Sequence, residues 1–350
     1  DLHSFPTRRS SDLRTLISFM RKIILTVLTA AVVFSGEIFA GGLREERPYS
    51  PPAPQKYRLL KKYFPALTGK EIKKSANISR RPEFTDLIND ILVYLRYKKL
   101  IKQTKILPPI FLLYSDNNSA LTFAGGLYYD SGNIIILNAN NFYTGGIIAN
   151  DLSENERAAL DFVTFAAIIG HELMHYEDLV NKSELQQLDG AALNEFNAYK
   201  RSEKIIEYFL KMPKAEADEI IPVENFYESV RKFEDYFNDI RKNYIKIVKA
   251  AGIFLKNEQK ICATLGLDKD KFKMLTFFPA IVFNAKNGGH IIKVESGFLD
   301  LKYRLLFEIN IISGSVKALN APKEIEAFKK EAREIILVNK KSYVKTRLGR

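Results

Sequence analysis

LSENERAALDFVTFAAIIGHELMHYEDL, residues 152–179, carries the strongest local pattern in the chain. Ser153, followed three residues later by Glu156, is a capping-box signature for a helix start. The middle, FVTFAAIIG at 162–170, is apolar on nearly every side, so this helix belongs in a core. His171 and His175 stand one turn apart on one face, at the inner end of that helix. Two imidazoles in that register can reach one metal ion. Glu172 lies about 100° around the helix from His171, near enough to hold a water beside such an ion. The competing reading is two core histidines satisfied by hydrogen bonds, with Glu172 capping one of them. Chance would produce H-E-x-x-H at these residue frequencies roughly three times in a thousand.

A metal centre that does chemistry needs three protein ligands and an open position. The metzincin arrangement would place Gly at 178 and His at 181, and Asp178 and Asn181 stand there instead. Downstream carboxylates are Glu177, Asp178, Glu184, Asp189 and Glu195. The first two share a helix with His175 and point around from it. Glu184 and Asp189 fall in or near the following turn and read as solvent-facing. Glu195 differs, because SELQQLDGAALNEFNAYKRSEKIIEYFL at 183–210 carries a stripe of Leu188, Ala192, Glu195, Tyr199 and Ile206. One carboxylate thus sits in an otherwise mainly apolar helical face. Burying it is costly unless it is paired, and a metal ion or an internal salt bridge would each serve.

The H-E-L-M-H of 171–175, with NEFNAY at 194–199, resembles the gluzincin metallopeptidases, including the thermolysin-like families. The resemblance is confined to that stretch. It implies a zincin-like core, one Zn2+ per chain held by His171, His175 and Glu195, and Glu172 as general base toward a metal-activated water. It also implies an edge strand that pairs with extended substrate, a role open to LTFAGGLYY (121–129) or NIIILN (133–138). Some gluzincins place an aspartate four residues after the ligand glutamate, where it orients a histidine; this chain has Tyr199. The supporting partner must then be Tyr199 or come from elsewhere. His290 is a candidate donor to the oxyanion, against a plainer reading as a surface residue at a strand end. Tyr176 reads as packing beside the site.

Around this centre the expected organisation is α+β. ILPPIFLLYSD (106–116) gives a short strand, and ALTFAGGLYYDSGNIIILNA (120–139) gives two strands joined at Asp130–Asn133. A helix is expected from Glu83 to Lys102, and a basic helical stretch around Tyr57–Tyr63. Phe226, Val230, Phe233, Phe237, Ile240, Tyr244, Ile247 and Ala251 predict one long amphipathic helix, read as internal packing rather than a partner-binding coil. GHIIKVES, KYRLLFEINII and SVKAL are strand-like, and a helix is expected at 323–337. The boundaries that follow are a Pro-rich leader with N-terminal helices at 41–104, a catalytic core at 105–212, a helical region at 213–285, strands plus helix at 286–338, and a basic tail at 339–350.

Residues 1–13, DLHSFPTRRSSDL, resemble the translation of a library-preparation oligonucleotide, so residues 1–19 are set aside and the start is expected at Met20. MRKIILTVLTAAVVFSGEIFAGG (20–42) has the layout of a secretory signal peptide, with cleavage expected after Ala40. The alternative is an uncleaved anchor, although Glu37 shortens the apolar run below the ~20 residues a span requires. The expected location is therefore periplasmic or secreted. The single cysteine, Cys262, allows no intramolecular disulfide, so stability rests on an apolar core. The net charge of +12 favours acidic partners such as an anionic envelope surface, or reflects a solvated lysine-rich exterior. No zinc finger, RNP motif or Gly-rich phosphate loop supports nucleic-acid binding.

The function expected is an exported zinc metallopeptidase acting on peptide, protein or peptidoglycan-stem substrates. Two alternatives come from other classes: a catalytically silent zinc-binding scaffold, and an envelope-associated binding protein that pairs through the 226–251 helix.

Overall fold

Three short strands divide the N-terminal half of the fold into two layers, because their side chains alternate between two apolar clusters. The structure, a computed structural model, describes residues 49–102, 107–115, 125–129, 132–141, 152–181, 190–280, 290–297, 304–319, 323, 324 and 326. Strand β1 (Ile110–Leu113) pairs in parallel with β3 (Ile134–Asn138), and β2 (Gly126–Tyr129) pairs antiparallel with β3, giving the order β1-β3-β2. Ile110, Leu112, Tyr128, Ile135 and Leu137 point to one face; Phe111, Leu113, Ile134 and Ile136 point to the other.

On the second face lie a 3-10 turn (Pro54–Leu59), the single-turn helix α1 (Leu60–Tyr63) and α2 (Gly69–Ile78), which supply Tyr57, Leu60, Leu67, Ile72 and Ala76. The start of α2 is a capping box: the Glu71 amide donates to Thr68 Oγ1 (3.2 Å), and the Thr68 amide donates to Glu71 Oε2 (2.8 Å). That T-x-x-E signal stands in the sequence, although the sequence reading assigned no helix to it.

On the first face lie α3 (Pro82–Tyr97) and the long α4 (Glu154–Asn181), followed by α5 (Ala191–Lys211), α6 (Lys214–Ile220), α7 (Phe226–Lys232) and α8 (Glu234–Lys256). The expected cap of α4 is present, with the Ser153 amide donating to Glu156 Oε2 (2.9 Å) and the Glu156 amide to Ser153 Oγ (3.3 Å). Helix α3 stops at Tyr97, short of the expected Lys102. Lys99 takes φ 54°, and the Leu100 amide bonds back to the Leu95 carbonyl (2.9 Å), folding buried Leu100 under the helix end. The stripe expected as one helix over 226–251 is two, parted at Phe233 (φ −104°, ψ 20°). The parting lets Phe226 join the first core while Phe254 joins the second. Phe226, Val230, Phe237, Ile247 and Ala251 are all buried within this chain, so the stripe packs internally.

Helices α9 (Glu258–Leu265) and α10 (Lys269–Lys273) lead into an antiparallel sheet β4-β5-β6-β7: Phe278–Ala280, Ile291–Gly297, Arg304–Asn310 and Ser315–Leu319. The first of these strands lay outside the sequence reading. Phe254 of α8 joins Phe272, Phe277 and Phe307 in the second core, with ring centroids 5.3–5.5 Å apart. The architecture is mixed helix and sheet, α+β. The leader begins to pack earlier than its proline content predicts: Tyr49 is buried, its amide donating to Asn89 Oδ1 (3.0 Å) and its carbonyl accepting from Asn89 Nδ2 (3.3 Å). Among the described residues no helix is long and apolar enough to cross a membrane. The expected signal segment, the 339–350 tail and most of the 323–337 helix lie outside the described residues.

Phe162 of α4 is buried against Tyr94, Phe209 and Phe226, with centroids 5.5–6.0 Å away. Phe162→Ala should cost about 3–5 kcal/mol of stability, read as a lower midpoint in urea unfolding with little change in slope.

Candidate metal centre

Helices α4 and α5 run against each other closely enough that a methyl group at Gly170 would collide with Ile205 Cδ1. Ser202 Oγ of α5 donates to the Ala167 carbonyl of α4 (3.0 Å), and Arg201 Nη2 meets Glu177 Oε2 at 2.7 Å. Ser202 stands two turns beyond Glu195 on its helix, and Ala167 one turn before His171, so these bonds set the register of the three groups.

The result is a cluster. His171 Nε2 lies 3.5 Å from Glu195 Oε2, and His175 Nε2 lies 3.6 Å from Glu195 Oε1. One ligand atom from each residue falls within 4.8 Å of the others, and all three side chains are partly buried. A direct N–H···O hydrogen bond would close to about 2.7–3.2 Å. Ligand atoms sharing one tetrahedral ion at about 2.0–2.1 Å stand roughly 3.3–3.4 Å apart, much nearer the observed spacing. The residues present therefore fit a metal ion, with two neutral imidazoles and one carboxylate as donors. Among the described residues no other such cluster of histidine, cysteine and carboxylate groups occurs.

The same groups are also electrostatically coupled. Burial would push the His171 pKa down, but the Glu195 and Glu172 carboxylates outweigh it and hold the value above that of an ordinary histidine. Burial would push Glu195 up, and His175 and His171 together bring it below the usual carboxylate range. Glu172 goes the other way: desolvation dominates and raises its pKa despite both histidines, while the Tyr128 backbone N–H donates to it.

Glu172 sits between α4 and the edge strand β2. A methyl group at Gly126 would come within 2.8 Å of both Glu172 Oε1 and Ile168 Cγ2, so only glycine lets the strand approach this closely. Among the described residues, Gly126–Tyr129 of LTFAGGLYY forms β2 at the edge of the sheet, whereas NIIILN contains the central strand β3, hydrogen-bonded on both sides.

The remaining carboxylates divide. Glu177 is buried and engaged with Arg201 and with the Lys102 amide (2.8 Å), so it braces the helices. Asp178 lies outside the converging triad, and Glu184, Asp189 and Leu188 lie outside the described residues, as does the glycine-containing segment 144–151. His290 is exposed at the start of β5, where its carbonyl accepts from the Ile311 amide. Tyr176 packs edge-on to Tyr128 at 6.2 Å. Tyr199 sets its ring against His171 at 4.6 Å, a contact that restrains the imidazole.

Tyr244 of α8 was seen in the sequence only as one member of an apolar stripe. It packs against both cores, 6.0 Å from the Tyr199 ring, and burial together with Glu172 pushes its pKa up to about 12. Its position seven residues before Ala251 in a repeating 4-3 pattern gave no sign that its hydroxyl would face a carboxylate.

No protein-family model matches the chain, and comparison with curated proteins and with solved structures finds no match.

Removing Glu195 as Glu195→Ala should lower divalent-metal affinity at least 10-fold, measured by metal content after dialysis. Affinity in the wild type should also fall with pH, because His171 must lose its proton to ligate and its pKa is raised. The loss should therefore begin at a pH above the usual histidine value, in a titration monitored by bound metal.

Proposed function

We propose that this chain is a zinc-dependent peptidase with a zincin-like core of gluzincin type, working outside the cytoplasm after export through residues 20–40. The observation that carries the reading is the joint placement of three ligands and a fourth, non-ligating carboxylate, Glu172, against an edge strand. A scaffold that only bound metal would have no use for Glu172 in that position.

His171, His175 and Glu195 would hold the zinc, which when bound supplies Lewis-acid activation of water and of the scissile carbonyl. The protein residues do the rest. Substrate would enter extended along the outer side of β2, beside the Glu172 carboxylate that the Tyr128 amide holds. The Gly125 carbonyl accepts from the Asn138 amide, so the main-chain groups of Gly126 turn to that outer side. Glu172 takes the proton from the attacking water and delivers it to the leaving amine. Its raised pKa suits that relay, since a base and acid of one group works best with a pKa near the operating pH.

Tyr244 and Tyr199 are held protonated by desolvation, Tyr199 further by Glu195 and Tyr244 by Glu172. Both phenols feel the Glu172 charge; Tyr244 is the donor assigned to the oxyanion, because the Tyr199 ring packs against the ligand His171. This replaces His290 in that role. The substrate class is peptide, protein or peptidoglycan stem.

Glu172→Gln should retain its zinc and lose about 10²–10⁴-fold in peptide hydrolysis. Hydrolysis equal to wild type, or a wild type that cleaves neither peptides nor cell-wall stem fragments when zinc-loaded, would sink the peptidase. Tyr244→Phe should keep metal content and KM while kcat falls about 10²-fold; an unchanged kcat would remove Tyr244 from the chemistry.

A further inference from the structure

The layer on the far face of the three-stranded sheet has an unusual charge balance. Its residues 54–78 contain seven cationic side chains and a single carboxylate, Glu71, in a chain whose total net charge is +12. Glu71 is buried and spent on the α2 cap, so it offsets nothing at the surface. Lys56, Arg58, Lys61, Lys62, Lys70 and Lys73 are all exposed on the outward side of the turn, α1 and α2. Leu59 stands among them with 63% of its surface exposed, on the turn whose other side buries Tyr57 and Leu60. Several lysines elsewhere meet carboxylates: Lys211 with Glu207, Lys242 with Asp239, Lys271 with Asp268, Lys317 with Glu324.

We infer that this layer is a docking surface for an anionic phospholipid bilayer. Two features select that occupant. These exposed cations match a negatively charged headgroup plane, where each adds attraction over about one Debye length. The exposed Leu59 beside four of them supplies an apolar side chain for the headgroup–acyl boundary, which a soluble polyanion would not need. Because the alternating strands put this layer opposite α4, docking leaves the His171–His175–Glu195 side turned away from the membrane. The inference does not depend on the peptidase reading.

The test is sedimentation of the full chain with vesicles of phosphatidylcholine, alone or mixed with phosphatidylglycerol. Binding should require the anionic lipid and weaken as salt rises. The double variant Lys61→Glu/Lys62→Glu should bind at least about 10-fold more weakly. Leu59→Ser should bind about 10-fold more weakly on the same vesicles, with unchanged circular dichroism and melting. Equal binding to neutral vesicles would mean that another apolar segment holds the lipid, and would overturn the proposal. So would a Leu59→Ser variant that binds like wild type, or soluble polyphosphate that strips the protein from vesicles at equal phosphate concentration, since either assigns the face to a soluble polyanion.

Discussion

The close crossing of α4 and α5 is the constraint from which the rest of the molecule follows. Gly170 removes the side chain that would hold the helices apart, and the Ser202–Ala167 and Arg201–Glu177 bonds lock their register. That crossing forces Glu195 against two imidazoles and leaves Glu172 one residue around the helix. Like charges and desolvated groups so close together are expensive in an apolar surround. The groups shift one another: desolvation pushes Glu172 up, the two histidines draw Glu195 down, and the carboxylates raise His171. A dication bound there would compensate the carboxylates and take both imidazoles in neutral form.

The sheet gives this crossing a near side, where β2 meets Glu172, and a rear side. Its edge strand β2 comes down on Glu172 only because Gly126 has no side chain, so the same glycine that weakens the strand creates the contact. Braces come from several directions. Glu177 ties α5 and the Lys102 amide to α4, and Tyr128 reaches both Tyr176 and, through its amide, Glu172. The rear layer, by contrast, uses its only carboxylate internally and presents cations outward. One small sheet thus separates a desolvated anionic centre from a solvated cationic face.

The second core matters to the centre through Tyr244. Helix α8 packs on α5 along its length and adds the C-terminal sheet along its second half, and Tyr244 touches both cores. A phenol packed at such a junction would suit the donor role proposed for it.

Much of this was legible in the chain itself. Local signals set α4: a capping box, an apolar middle and two histidines one turn apart, all read within a single helix. Glu195 was also legible, because a carboxylate in an apolar stripe has few stable alternatives. The β2–β3 pairing followed from two short β-rich runs flanking a turn. What the tertiary structure alone decided involves residues distant in sequence. Which strand is the edge depends on β1 pairing in parallel across the sheet; the division of 226–256 at Phe233 depends on two separate cores; Tyr244 becomes a site residue only when α8 folds back on α5. Periodicity reports which face of an element is apolar, and it is silent on what that face meets, because the partner is chosen by packing among elements far apart in the chain.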